Sequence, residues 1–193
     1  MLVHRVQKHY PVEMIEYERV MNEHGTAAAA TFTLSPHPNE VLKLFWECDV
    51  KQCLPVAFYE AAARGVISLT SSKPKVALPP QILTPSVRAL GTFNGRHVDH
   101  VRATLDTVHD CNNCRRANFN SIEHSLLPTK SDLSLSLLRD PGLKPDVARM
   151  LCDRCITAII GDDNAFRYVF WDELPGVFGL PNWRELSKYV ILK

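Results

Sequence analysis

No run of apolar residues in this sequence approaches the roughly 18 needed for a membrane-spanning helix, so no such span is expected. Neither sign of charge dominates. Lys and Arg number 22 against 21 Asp and Glu, and the formal net charge of +1 sets up no global field for nucleic acid or an anionic membrane. The opening stretch, Met1–Tyr10, is polar and lacks the apolar core of a signal peptide. Also missing are a nucleophile elbow, a phosphate loop, a dinucleotide fingerprint and an H-E-x-x-H pair, each of which needs given residue types at fixed spacing. Catalysis on a small-molecule substrate is therefore not the expected function. There is no β-hairpin signature, internal repeat or low-complexity run, which leaves helices as the expected architecture.

What is present is ordinary globular material: 193 residues, 46% hydrophobic and 22% charged, enough to bury a core without staples. Six cysteines without a secretory signal point to a reducing compartment, cytoplasm or nucleus, and to metal binding or free thiols.

The cysteines are the most informative feature. Cys111-Asn-Asn-Cys114 and Cys152-Asp-Arg-Cys155 are two C-x2-C pairs, and four thiols in two such pairs match the ligand count of a closed tetrahedral zinc site. Bonds of about 2.3 Å from each sulfur to zinc would bring the four sulfurs within about 4 Å of one another. Zinc on four thiolates carries a net charge of −2, to be offset by basic groups or backbone N–H donors. Arg115, Arg116 and Arg154 lie beside or between the cysteines, and Arg149 shortly before them. The other reading is exposed arginines beside buried reduced thiols, because free cysteine is among the most buried residue types. His109 is close enough to Cys111 in sequence to stand in for one thiol, and Cys48 and Cys53 read as helix-packing residues.

Periodicity outlines the helices. Val3, Val6, Tyr10, Met14, Tyr17, Val20 and Met21 recur at helical spacing over residues 2–23, with Pro11 marking a break. Asn39 is the expected N-cap of a helix carrying Val41, Leu42, Leu44, Phe45 and Trp46. Asp49-Val50 reads as a tight turn, and a second helix from about Lys51 to Arg64 should stop at Gly65. Residues 68–84 are the most loop-like stretch, after which Thr84-Pro85 should restart a helix. An amphipathic helix from Gly95 to Asp110 would present Val98, Val101, Leu105 and Val108 on one face, with His97 and His100 solvated, and deliver the first cysteine pair. A short helix is expected around Phe119–Leu127, and Leu133–Leu138 fits helix or strand. Pro145 should open a helix running through Ile160 to about Trp171, placing Cys152 and Cys155 one turn apart on one face.

The tail, Phe170-Trp171-Asp-Glu-Leu174-Pro-Gly-Val177-Phe178-Gly-Leu180-Pro-Asn-Trp183, has two readings. Its apolar residues close a core, or Trp171, Phe178 and Trp183 form a partly exposed anchor for a protein partner. Nucleic-acid binding is the alternative function, since C-x2-C pairs with adjacent arginines occur in zinc modules that grip DNA or RNA. Arg115 and Arg116 in a neutral chain are a small cluster for that task.

Several segments resemble a known family. His37-Pro-Asn-Glu-Val-Leu-Lys-Leu-Phe-Trp-Glu-Cys-Asp-Val-Lys-Gln-Cys-Leu-Pro-Val-Ala-Phe-Tyr59 resembles the segment that follows the BTB/POZ fold in fungal BTB-domain proteins. Leu151-Cys-Asp-Arg-Cys155 and the Trp171–Trp183 tail are similar to the cysteine pair and W-x-x-L-P-x-x-F-G-L-P-x-W ending of the same proteins, and Tyr10-Pro11 with Tyr17 to their BTB-proximal helices. The resemblance covers about residues 4–66 and 85–186 and is carried by apolar packing patterns; the BTB fold itself, with its strands and dimer face, is not in this sequence. It implies an all-α, BACK-like helical region; with the loop-like stretch 68–84 as connector, the expected division is a BTB-proximal part at 1–67 and a cysteine-rich part at 85–193. The implied role is protein–protein interaction within an adaptor or regulatory protein, such as a substrate adaptor of a cullin-type ubiquitin ligase or a transcriptional regulator.

Overall fold

The computed structural model describes residues 10–24, 37–70, 77–114, 137–138 and 145–189. Among these the fold is all-α: helices α1 (Met14–His24), α2 (Pro38–Glu47), α3 (Leu54–Ala63), α4 (Gly65–Leu69), α5 (Pro80–His109), α6 (Pro145–Ala148), α7 (Asp153–Val177) and α8 (Trp183–Leu186). Single 3-10 turns at Lys51–Cys53 and Ser187–Tyr189 complete the regular structure there. The expected helix around Phe119–Leu127, residues 133–136 of the leucine stretch and residues 2–9 of the first helix lie outside the described residues.

Helix α3 sits at the centre. All ten of its residues, Leu54 to Ala63, are buried, as an apolar-all-round helix must be. Pro55 falls in its first turn, where a missing N–H costs little. Helices α2, α4, α5 and α7 pack against it, and α1 reaches it where Tyr17 meets Tyr59. Helix α1 contributes Met14, Tyr17, Val20 and Met21 from one face, while Glu16, Arg19 and Glu23 pair with one another on the solvent side. Helix α2 adds Val41, Leu42 and Phe45. Its N-cap is His37, not Asn39. Pro38 occupies the first helical position, so the cap falls two residues earlier, and the His37 Nδ1 accepts the Asn39 N–H at 3.2 Å. Asn39 is buried instead, its side-chain amide donating to the Ser68 carbonyl at 2.9 Å and tying α2 to α4. Asp49 makes the tight turn with φ 54, a left-handed conformation that Asp tolerates better than most residues. Gly65, at φ 80, turns the chain between α3 and α4, where a side chain would be strained.

Two long helices cross the molecule. Helix α5 is continuous from Pro80, so Pro85 lies inside it rather than at a restart. Burial of Ile82, Ser86, Ala89, Leu90 and Phe93 on one side of that stretch outweighs the missing Pro85 N–H. The buried face further along is Phe93, His97, Val101, Thr104 and Val108. His97 is thus a core residue, and Val98 is turned outward. Helix α7 packs antiparallel partners through Phe170, Trp171 and Leu174 and ends at Phe178, with Gly179 at φ 70 just beyond.

The tail closes the core. Trp171 and Phe178 are only 2% and 5% exposed, so neither is a partner anchor. Phe178 stacks on Phe58 with centroids 4.8 Å apart, and Trp171 packs on Tyr17 and donates its indole N–H to the Val12 carbonyl at 3.2 Å. Trp183 is half-buried, stacked 4.9 Å from Trp171, and donates to its carbonyl at 2.7 Å. A single hydrophobic cluster runs from Tyr10 to Phe178, taking residues from both sides of the 68–84 stretch, which is therefore a connection within one core.

One buried cation ties α1 to α7. The Arg167 side chain is 4% exposed; its Nε donates to Asp163 at 3.1 Å, and its other nitrogens donate to Glu18 and Asn164. Arg167→Ala is expected to lower unfolding free energy by about 2–3 kcal/mol, below the range for a fully buried pair because Glu18 and Asp163 are partly hydrated and Asp163 keeps its contact with His100. Urea denaturation checks this; a loss under about 0.5 kcal/mol would show the network to be dispensable.

Candidate metal centre

A second, smaller apolar cluster lies at the far ends of α5 and α7. It consists of Val108, Cys114, Val147, Leu151, Cys155 and Ile159, flanked by Leu105, Cys111, Met150, Cys152 and Ile156. The four cysteines of the two C-x2-C pairs meet inside it. Their sulfurs all lie within 4.8 Å of one another, although the pairs are far apart in sequence. Cys111 and Cys152, 41 residues apart, bring their sulfurs to 3.7 Å. That is close to the separation two sulfurs adopt on one zinc, whereas the outer limit of the set exceeds the expected 4 Å and requires a small contraction.

Local structure explains the convergence. Cys111 follows the last turn of α5, and the Cys114 N–H folds back on the Cys111 carbonyl at 3.0 Å. The second pair is not mid-helix. Helix α6 stops at Ala148, residues 149–150 turn, and Cys152 is the extended N-cap of α7 with φ −79 and ψ 157. Cys155 sits in the first turn. This break, absent from the sequence reading of one helix from Pro145 to Trp171, frees Cys152 from helical geometry and points its N–H at the Cys114 sulfur at 3.2 Å. The N-terminal end of α7, with its unpaired N–H groups, is an electrostatically favourable place for thiolates.

The thiols divide by environment. Cys111 and Cys152 are half-exposed, while Cys114 and Cys155 are buried at 3% exposure each. Backbone N–H groups of Asn113 and Cys114 aimed at the Cys111 sulfur pull its pKa down from 9.0 to about 6. Cys155 is pushed far above the ordinary thiol value by burial and then by its three neighbouring thiols. Cys114 receives the Cys152 N–H, which favours its thiolate, yet burial and adjacent thiols leave its pKa raised. Of these three thiols Cys111 is therefore the most readily ionised.

The other sequence candidates fall elsewhere. Arg154 is exposed on the first turn of α7, Arg149 is exposed before it, and Arg115 and Arg116 lie outside the described residues. The charge compensation on view is backbone N–H donation. His109 is exposed beside Asp110, away from the sulfurs, Cys48 is exposed, and Cys53 is a core thiol whose pKa burial raises to about 12. His100, read as solvated, lies against Phe166 with ring centroids 4.2 Å apart and pairs with Asp163 at 3.2 Å. A cavity of about 680 Å³ is lined by Glu18, Asn22, Asn164, Arg167 and Tyr168, and its ionisable groups Glu18 and Arg167 pair with each other. Among the described residues no helix is long and apolar enough to cross a membrane.

Protein-family models, curated proteins and solved structures were all compared with this chain, and none matches it.

In metal-free protein, Cys111 is expected to be the first thiol alkylated at pH 7, with a rate midpoint near pH 6. Its folded pKa lies below the unfolded value. It therefore contributes stability that is fully present above about pH 9 and is lost as pH falls through about 6. Mass-spectrometric rates of iodoacetamide labelling across pH 5–9 check this, and a Cys111 midpoint near an ordinary thiol value would contradict it.

Proposed function

We propose that this chain is a non-catalytic protein–protein interaction module whose C-terminal half is held together by a structural zinc on Cys111, Cys114, Cys152 and Cys155. The observation that carries the reading is the donor set: four protein thiols gathered inside an apolar shell. A four-thiolate site is closed. It leaves no coordination position for water or substrate, which suits a structural metal and not a hydrolytic one. A thiol cluster of this kind persists in the reducing cytoplasm or nucleus.

The interaction role draws support from the resemblance of the His37–Tyr59 and Trp171–Trp183 segments to the region after the fungal BTB/POZ fold, which would place the chain in an adaptor or regulatory protein. It also draws on an exposed apolar face. In α4, Val66 is exposed and Ile67 is 91% exposed, an arrangement that costs solubility unless a partner covers it. Nucleic-acid binding within transcriptional regulation has Arg115 and Arg116 in its favour, but the formal net charge of +1 offers few phosphate contacts.

Protein purified without added zinc should contain about one zinc per chain. Chelation, or Cys114→Ser, should unfold the ends of α5 and α7 and lower helicity by circular dichroism, since a structural zinc contributes on the order of 10 kcal/mol. Absence of metal together with unchanged helicity on chelation would end the zinc reading. Ile67→Glu should leave the melting temperature unchanged while removing partners found by proximity labelling in cells. An unaltered partner set would remove the α4 face from consideration.

A further inference from the structure

The two half-exposed sulfurs of the centre come one from each cysteine pair. Cys111 and Cys152 are accessible to a water-borne reagent, whereas Cys114 and Cys155 lie under Val108, Val147, Leu151 and Ile159. The accessible sulfurs are also in contact, 3.7 Å apart. We infer that Cys111 and Cys152 form the redox-active edge of the centre, oxidised by a hydroperoxide to a disulfide that crosses between α5 and α7 and expels the metal. This rests on the zinc reading for its metal, but not for its choice of sulfurs.

The chemistry balances with hydrogen peroxide as oxidant. One sulfur of the edge attacks a peroxide oxygen and the O–O bond breaks. This gives a sulfenic acid and a hydroxide that leaves as water. The second sulfur then attacks the sulfenyl sulfur, the S–S bond forms, and the second oxygen leaves as water after protonation. Two electrons pass from the two sulfurs to the peroxide. Zinc is left with two thiolates where it had four, and departs. Closing the S–S distance to about 2.05 Å needs roughly 1.7 Å of approach, within reach of side-chain rotation at two chain positions outside helical geometry.

The choice of pair decides what happens to the fold. A bond within either C-x2-C pair would cut the tie between the helix ends when metal leaves. A Cys111–Cys152 bond keeps that tie, linking positions 41 residues apart. Oxidised protein should therefore remain folded without metal, unlike chelated reduced protein.

The test uses the zinc-loaded chain as purified. Hydrogen peroxide is added, released zinc is followed with a chromogenic chelator, and disulfides are mapped by mass spectrometry after trypsin. Cleavage after Arg149 and Arg154 separates Cys152 from Cys155, while Cys111 and Cys114 stay together on the peptide between Arg102 and Arg115, so fragmentation of the cross-linked peptide between those two cysteines identifies the partner. The expected result is loss of bound zinc from about one per chain to near none, with Cys111–Cys152 as the major product and helicity retained. A major product of Cys111–Cys114 or Cys152–Cys155, or zinc retention by peroxide-treated protein, would overturn the inference. Were the chain to bind no zinc, the zinc reading alone would fall. The same disulfide map on metal-free protein would then decide the pairing, for by Cys111–Cys152 and against by any other bond.

Discussion

A ten-residue helix with no exposed face must be wrapped on every side, and wrapping Leu54–Ala63 dictates where the other helices go. Its apolar side chains leave the lowest-energy position for α1, α2, α5 and α7 flush against it, and the aromatic residues fill the gaps that cylinders leave. Tyr59 meets Phe93 and Phe170 edge to face, while Phe58 stacks on Phe178. One consequence is that the tail cannot serve as a projecting anchor. Residues such as Trp171 and Phe178 are consumed in covering α3, and among the described residues the most exposed large apolar side chain is Ile67 of the short α4.

The same wrapping leaves α5 and α7 longer than the core that holds them. Past Phe93 and Phe170 they run on together to a second cluster with six buried residues. Half a dozen side chains do little to offset the conformational entropy of ordering the helix ends and the turns that carry the cysteines, at about 1–2 kcal/mol per residue for backbone alone. A tie of another kind is needed there, and thiols facing one another across the helix pair are what the sequence supplies. The hydrogen bond and ring stacking of His100 with Asp163 and Phe166 lie between the two clusters and join the same helices midway.

How much of this was readable in the sequence follows from how local each signal is. The all-helical class and the apolar faces of α1 and α2 were legible because periodicity is a local property. The grouping of the four cysteines was legible because C-x2-C is a chemical pattern independent of fold. Three readings failed where a local rule met a non-local competitor. Asn39 looked like a cap, but Pro38 shifted the helix start and a histidine nitrogen took over. Thr84-Pro85 looked like a helix start, but burial on both sides of Pro85 kept α5 continuous. His97 looked solvated, yet it is buried because the core-facing stripe of α5 turns gradually along its length, from Phe93 through His97 to Val101. The division at 68–84 reflected composition, which says nothing about whether the two sides share a core.

The break before α7 was the least legible feature and has the largest effect on the site. Residues 145–171 have helical periodicity throughout, so nothing local marks an interruption at 149–152. What interrupts it is the partner: the Cys152 N–H is spent on the Cys114 sulfur, not on a carbonyl one turn earlier. An extended residue at that position turns the start of α7 toward the thiols and brings its free N–H groups with it. The helix start and the thiol centre are thus one structural event, and neither can be specified without the other. That coupling also explains why backbone donors, rather than the exposed Arg154, meet the sulfurs. An N–H fixed by the chain at a helix end keeps its direction without entropic cost, whereas an exposed arginine on the first turn would have to be immobilised to do the same.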